Sequence, residues 1–177
     1  MFREERDFSK FSWDDLGDIK YGRPNLGLSV PVLLYRLLQY TWRDVMITEL
    51  GVDKANDIIV KAGKLAGRQF CENMLDRRLN FNNFISQLQK VFREQKIGIF
   101  RVEKVDLNNM SLTVTIAEDL DCSGLPPTDE VVCQYDEGFI AGILESYTGR
   151  PFRAKEVDCW ANGDRVCRFD VRLQEQT

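Results

Sequence analysis

The hydrophobic pattern of this chain changes its period near Gly98, and this change constrains the fold more than any other feature. Before Gly98, apolar residues recur every three or four positions, which predicts helices. After it, two hairpin-like pairs of alternating segments enclose one further helical stretch. Helices followed by hairpins, rather than regular strand–helix alternation, predict an α+β fold with helices packed on an antiparallel sheet.

Start and stop signals divide this pattern into elements. Pro31 suits the first turn of a helix, Asp53 can cap the next one, and Gly149 can end the last. The predicted helices cover 30–51, a stretch from Asp53 to about 75, 82–96, and a stretch from Cys133 to Gly149. The predicted strands cover 99–106, 110–117, 152–159 and 165–173.

Two glycines, Gly63 and Gly67, lie on one face of the second predicted helix. Each glycine inside a helix costs about 1 kcal/mol relative to alanine. The pair therefore predicts either a tight crossing against another helix or the close approach of a ligand, and tight packing is the favoured interpretation.

Length and composition favour one domain. The 177 residues, 44% of them hydrophobic, suffice for one substantial core. We interpret 1–28, which is polar and interrupted by glycines, as an ordered arm, and 29–177 as a single domain with a C-terminal zinc site. The net charge of −4 with mixed signs argues against nucleic-acid binding. A charged beginning and the lack of a long apolar run predict a cytoplasmic protein without membrane insertion.

Histidine is absent and cysteine occurs five times, and both facts restrict the chemistry. Without histidine, catalytic triads with an imidazole base and the HExxH type of zinc site are excluded. An odd number of cysteines in a cytosolic protein indicates reduced thiols or metal ligation rather than a disulfide framework.

Three cysteines are placed to converge. Cys159 and Cys167 flank a predicted hairpin turn, and Cys133 can join them from the preceding helix. Tetrahedral zinc needs four donors, and without histidine Glu156 is the natural fourth ligand. Residues three apart on a regular strand face opposite ways, so this set requires a bent strand end near Glu156.

Other interpretations of the cysteines stay open. The three could be small buried residues or contain a cross-strand thiol pair. Cys122, in a loop, is a candidate reactive thiol or exchangeable ligand, and Cys71 is a candidate packing residue, so neither joins the predicted metal set.

Several short segments resemble the C-terminal signature of the 4-vinyl reductase-like domain: Cys133, Glu156-Val157-Asp158-Cys159, Asn162-Gly163-Asp164 and Cys167-Arg168-Phe169. The same spacing is similar to that of the zinc site in the sensory domains of aromatic-responsive transcription activators. The resemblance covers roughly 23–173. It implies a structural zinc, and a fold shared with TRAPP vesicle-tethering subunits, the ligand-binding domain type of NO signalling and Golgi transport.

The resemblance and the pattern together suggest a domain that binds or senses a small hydrophobic or aromatic ligand. Its candidate pocket walls, for which ordinary core packing is the alternative, are Phe70, Phe84, Phe100, Phe139, Ile143 and Tyr147. Signal output would then need a homodimer or a separate protein partner.

Two other functions stay open. One is a scaffold or assembly subunit, which a large exposed apolar patch would favour. The other is an accessory subunit of a vinyl-group reductase, because the chain has no GxGxxG fingerprint for a dinucleotide of its own. We predict no catalytic residue, and four protein ligands would close the zinc shell.

Overall fold

The computed structural model describes residues 5–106 and 108–174. The first four residues of the predicted arm and the last three of the predicted domain lie outside the described residues.

The predicted order of helices and strands is confirmed. A short 3-10 turn, Trp13–Leu16, and a four-residue helix, α1 (Ile19–Gly22), precede the longer elements. The longer helices are α2 (Val32–Leu50), α3 (Val52–Met74), α4 (Phe81–Glu94) and α5 (Gln134–Thr148). The strands are β1 (Ile99–Asp106), β2 (Ser111–Ala117), β3 (Phe152–Asp158) and β4 (Cys167–Leu173).

The four strands form one antiparallel sheet in the order β1-β2-β4-β3. Each hairpin pairs two strands that are adjacent in sequence, and β2 joins the hairpins by pairing with β4. The pairing of β3 with β4 is irregular between Glu156 and Asp158, which is the bent strand end expected from the sequence. The sheet therefore places the ends of β2 and β3 close to the start of β4.

Helix α5 is buried along most of its length because it packs between the sheet and α3. Its crossing with α3 depends on glycine from both helices: Gly63 and Gly67 from α3, Gly138 and Gly142 from α5. A Cβ atom on any of the four would lie less than 3 Å from a backbone oxygen of the other helix. The predicted tight helix crossing is therefore confirmed, and it involves two helices with glycine pairs rather than one.

Helix α2 is oriented opposite to the usual amphipathic helix. Its large apolar side chains, such as Leu33, Leu37 and Trp42, are more than half exposed. Polar residues, among them Tyr35 and Arg36, face the rest of the fold. Within 5–106 and 108–174, no helix is long and apolar enough to cross a membrane.

Candidate metal centre and apolar cleft

Four buried cysteines meet where the two hairpins and α5 come together. Cys122 lies in the loop after β2, Cys133 directly precedes α5, Cys159 follows β3, and Cys167 begins β4. All four side chains are fully buried, and their sulfur atoms all lie within 4.8 Å of one another.

The sulfur separations suit a tetrahedral metal ion. Cys133 Sγ lies 3.9 Å from Cys159 Sγ and 3.8 Å from Cys167 Sγ. Zinc–sulfur bonds of about 2.3 Å in a tetrahedron give an edge of about 3.8 Å. Cys122 Sγ lies closer, 3.0 Å from Cys167 Sγ, and all of these thiols are free. Four soft donors in this arrangement are typical of zinc or an iron–sulfur centre.

The structure brings the three predicted cysteines together but gives the fourth position to Cys122. Glu156, the predicted fourth ligand, lies beside the cluster, where its Oε2 accepts a hydrogen bond from the backbone N–H of Cys133 at 3.0 Å. Its Oε1 is buried and has no hydrogen-bond partner among the described residues. Glu156 thus shapes the surroundings of the thiols, and Cys122 completes a set of four.

Sequence reasoning left Cys122 out of this set because it could not know how the hairpins join. Ile116, near the end of β2, pairs with Cys167 at the start of β4. The loop after β2 therefore leaves the sheet close to Cys167 and carries Cys122 back to it. The position of Cys122 in an irregular loop gave no independent signal of this contact.

Burial has a strong electrostatic effect here. It raises the pKa of Glu156 to about 8, and it raises the pKa of Asp136 well above its usual range. Hydrogen bonds from Cys122, Cys133 and Cys167 lower the pKa of the Cys159 thiol. A cluster of four thiolates beside buried carboxyl groups cannot be stable without a compensating cation, which a divalent metal ion would supply.

Helix α2 is attached to the loop that contains Cys122. Asp121 accepts a hydrogen bond from Tyr35 Oη at 2.8 Å and one from Gln39 Nε2 at 2.7 Å. The backbone oxygen of Asp121 accepts another from Tyr40 Oη at 2.9 Å. Asp121 is only 3% exposed, so these bonds lie in a water-poor environment, where they are worth more than at the surface.

Two arginines extend this attachment. Arg36 donates to the backbone oxygens of Leu120 and Ser123, at 2.8 and 2.9 Å. Arg43 donates to the backbone oxygen of Val132 at 3.0 Å, next to Cys133. Helix α2 is therefore held by polar contacts to the two segments that position Cys122 and Cys133.

Replacing Asp121 with alanine should loosen α2 selectively. The change leaves Tyr35 and Gln39 without their buried acceptor, which costs about 1–3 kcal/mol for each lost bond. We expect amide hydrogens of α2 to exchange at least tenfold faster while those of α5 keep their protection. Hydrogen exchange read by mass spectrometry measures both helices in one sample. The matched control is Asp44→Ala, on the exposed side of α2, which should leave both rates unchanged.

An apolar cleft of about 300 Å³ lies between α2 and α3. Its walls are mostly apolar, with polar groups from α2 and one tyrosine from α5. The lining residues used below are Leu38, Gln39, Trp42, Ala62 and Tyr135. This volume is at the lower end of the range for small-molecule sites.

The six residues proposed from sequence as pocket walls do not line this cleft. They pack against one another in the core, where Phe84 stacks on Tyr147 with ring centroids 3.8 Å apart, and Phe70 lies 5.1 Å from Phe139. A cavity of only about 10 Å³ remains beside Phe100 and Ile143. Their large side chains fill the volume themselves, so the alternative of ordinary core packing describes them.

Comparison with known proteins adds a family. The uncharacterized protein MJ1642 of Methanocaldococcus jannaschii is 30% identical over 148 residues, which cover 84% of this chain and 81% of that protein. The uncharacterized protein MJ0150 of the same organism is 27% identical over 165 residues, covering 92% and 88%. Residues 112–173, which include the four clustered cysteines, match the 4-vinyl reductase domain. The chain belongs to the 4-vinyl reductase domain family.

Three solved structures share the fold of this 4-vinyl reductase domain at low sequence identity. A vinyl-4-reductase family protein from Methanocaldococcus jannaschii is 16% identical, with a TM-score of 0.60 over 97% of this chain and 100% of that one. The phenol-responsive sensory domain of the transcription activator PoxR, with phenol, is 13% identical, with a TM-score of 0.61 over 83% and 76%. Trafficking protein particle complex subunit 3 from Naegleria fowleri, covalently bound to palmitic acid, is 16% identical, with a TM-score of 0.66 over 81% and 95%. These likenesses confirm the predicted fold class.

Proposed function

We propose that this 4-vinyl reductase domain binds a small, largely apolar ligand, most suitably an aromatic one, in the cleft between α2 and α3. The observation that carries the proposal is an apolar cleft with one unpartnered polar atom in its lining. Binding sites for small molecules commonly combine hydrophobic walls with a few placed polar groups. Trp42 and Tyr135 supply aromatic surface for stacking, and Leu38 supplies aliphatic surface.

The polar atom is the side-chain oxygen of Gln39. Its Nε2 donates to Asp121, which fixes the orientation of the amide. Its Oε1 is then a buried acceptor without a hydrogen-bond partner among the described residues. Such an atom favours a ligand that carries a hydroxyl or N–H donor, because leaving a buried acceptor unpaired costs about 1–3 kcal/mol. The cleft therefore suits a phenol-like molecule better than a plain hydrocarbon.

The four clustered cysteines support a structural zinc site as part of the same proposal. Four protein donors close a tetrahedral shell and leave no position for water or substrate. Zinc would join β2, β3, β4 and the start of α5, and through Asp121 it would also stabilise the docking of α2. The metal then maintains the fold around the cleft and does not react with the ligand.

Two naphthalene compounds test the ligand proposal. We expect the wild-type protein to bind 1-naphthol about tenfold more tightly than naphthalene, because only the hydroxyl can donate to Gln39 Oε1. Gln39→Leu should reduce this preference to less than about twofold. Fluorescence titration of both compounds against both proteins gives the four dissociation constants.

Binding of naphthalene is the internal control, since it uses the walls and not the amide. Naphthalene affinity should be similar in wild type and Gln39→Leu. If neither compound saturates the wild-type protein, or if Ala62→Trp, which fills the cleft, binds both as well as wild type does, the cleft is not a ligand site.

The exposed apolar side of α2 supports a homodimer, in which signal output passes through the second copy or a separate protein partner. The same exposed side favours the scaffold function as a second candidate, in which α2 docks a different protein. We place the protein in the cytoplasm, where the five free thiols suit a reducing environment.

A further inference from the structure

One side of α2 forms a continuous apolar surface, here called the outer face. Its members are uncharged and between 52% and 76% exposed. They are Leu33, Leu34, Leu37, Leu38, Trp42 and Val45. At 3.6 residues per turn they occupy about half of the helix circumference, opposite the polar residues that bind the loop of Asp121.

Exposed apolar surface of this extent indicates an interaction site. An exposed aromatic side chain alone offers about 150–250 Å², and the outer face adds five aliphatic side chains to Trp42. The total is on the order of several hundred Å² per copy, comparable with the roughly 800 Å² that each partner buries in a standard interface. The rest of the fold, within the described residues, does not cover it.

The outer face is suited to a second copy of itself. A stripe without charges along a helix of 19 residues, about 28 Å long, can pair with its own symmetry copy without opposing like charges. The two basic residues of α2, Arg36 and Arg43, point to the fold, so the stripe lacks the cationic borders typical of a helix that lies on a membrane.

The outer face is continuous with the ligand cleft. Leu38 and Trp42 belong to both, and they are 58% and 67% exposed although they form cleft walls. In a single copy the cleft is therefore open along this edge. A partner that covers the outer face also covers the open side of the cleft.

We propose that a second copy of the chain completes the ligand site by packing its α2 against the outer face. This proposal rests on the proposed function of the cleft. Closure by the second copy removes the ligand from water and adds apolar contacts that one copy cannot provide. Binding and dimerisation are then linked, so each strengthens the other by the same factor.

The test separates the outer face from the cleft walls. Leu33 and Leu37 lie on the outer face but do not line the cleft, so Leu33→Asp with Leu37→Asp removes pairing and leaves the walls intact. Val105→Asp, at a 44% exposed position on the edge strand β1, is the matched control for adding charge at an apolar surface site. Sedimentation gives the mass of each protein, and 1-naphthol fluorescence gives its affinity. Circular dichroism checks that each variant is folded.

The proposal predicts that wild type and Val105→Asp sediment as dimers of the 20.5 kDa chain and bind 1-naphthol with equal affinity. The folded double variant should be monomeric and bind 1-naphthol at least tenfold more weakly. A monomeric double variant with wild-type affinity overturns closure by a second copy and leaves the proposed function standing.

A wild-type protein that stays monomeric with saturating 1-naphthol also overturns the proposal. Binding of that monomer to lipid vesicles would then assign the outer face to a membrane surface. Failure of the proposed function gives a different result, because wild type then binds no 1-naphthol at any protein concentration, whether or not it dimerises.

Discussion

Protein in which serine replaces Cys167 should melt at least about 10 °C below wild type and lose its bound zinc. Cys167 begins β4, and its sulfur lies within 4.8 Å of the other three. Zinc binding in structural sites is coupled to folding, so losing one ligand removes several kcal/mol of stability. In a protein of this size, each kcal/mol corresponds to roughly 2–4 °C in melting temperature. Calorimetry and elemental analysis of protein purified without chelator measure both effects.

Cys71→Ser is the control for losing a buried thiol without losing a ligand. Cys71 is fully buried on α3 but does not belong to the cluster, so this variant should keep its zinc. Two further variants decide the fourth ligand: Cys122→Ser should lose zinc, and Glu156→Gln should retain it. Retention of zinc by Cys122→Ser together with loss by Glu156→Gln would restore the ligand set expected from sequence.

Replacing Gly138 with valine should prevent the protein from folding. A Cβ atom there would lie less than 3 Å from the backbone oxygen of Val60, and the backbone of a helix cannot move aside as a flexible side chain can. Overpacking usually costs about 1–3 kcal/mol, and a clash with backbone exceeds that range. We expect insoluble or molten protein, identified by the loss of near-UV circular dichroism and of a cooperative thermal transition.

The milder change Gly138→Ala should give a soluble but clearly destabilised protein. Gly22→Ala is the matched control, because its Cβ would meet no atom within 4 Å and its backbone is not in the left-handed region. Wild-type stability in Gly138→Ala would contradict the close crossing of α3 and α5.

The sequence predicted the fold well because its periodicity is local. Helix and strand spacing can be read within a window of a few turns, and each of the long elements was found near its observed position. The glycine pair of α3 was also informative, because its cost inside a helix needs a packing reason. What the sequence did not reveal was its partner pair, Gly138 and Gly142, since the contact joins helices that are far apart along the chain.

The candidate site was harder to predict because it depends on tertiary contacts. Three cysteines were identified from their spacing, whereas Cys122 enters only through the pairing of β2 with β4. The cleft was missed for a related reason. Large aromatic residues such as Phe84 filled the core, and the cleft formed instead where α2 docks through polar side chains. A reversed amphipathic helix has the same period as an ordinary one, so its orientation cannot be read from periodicity.

A crystal structure of the protein grown with 1-naphthol tests the central claim most directly. The account predicts density for the ligand between α2 and α3, against Trp42 and Ala62, with its hydroxyl within hydrogen-bond distance of Gln39 Oε1. Density for 1-naphthol elsewhere, with the cleft holding only water at saturating ligand, would contradict it.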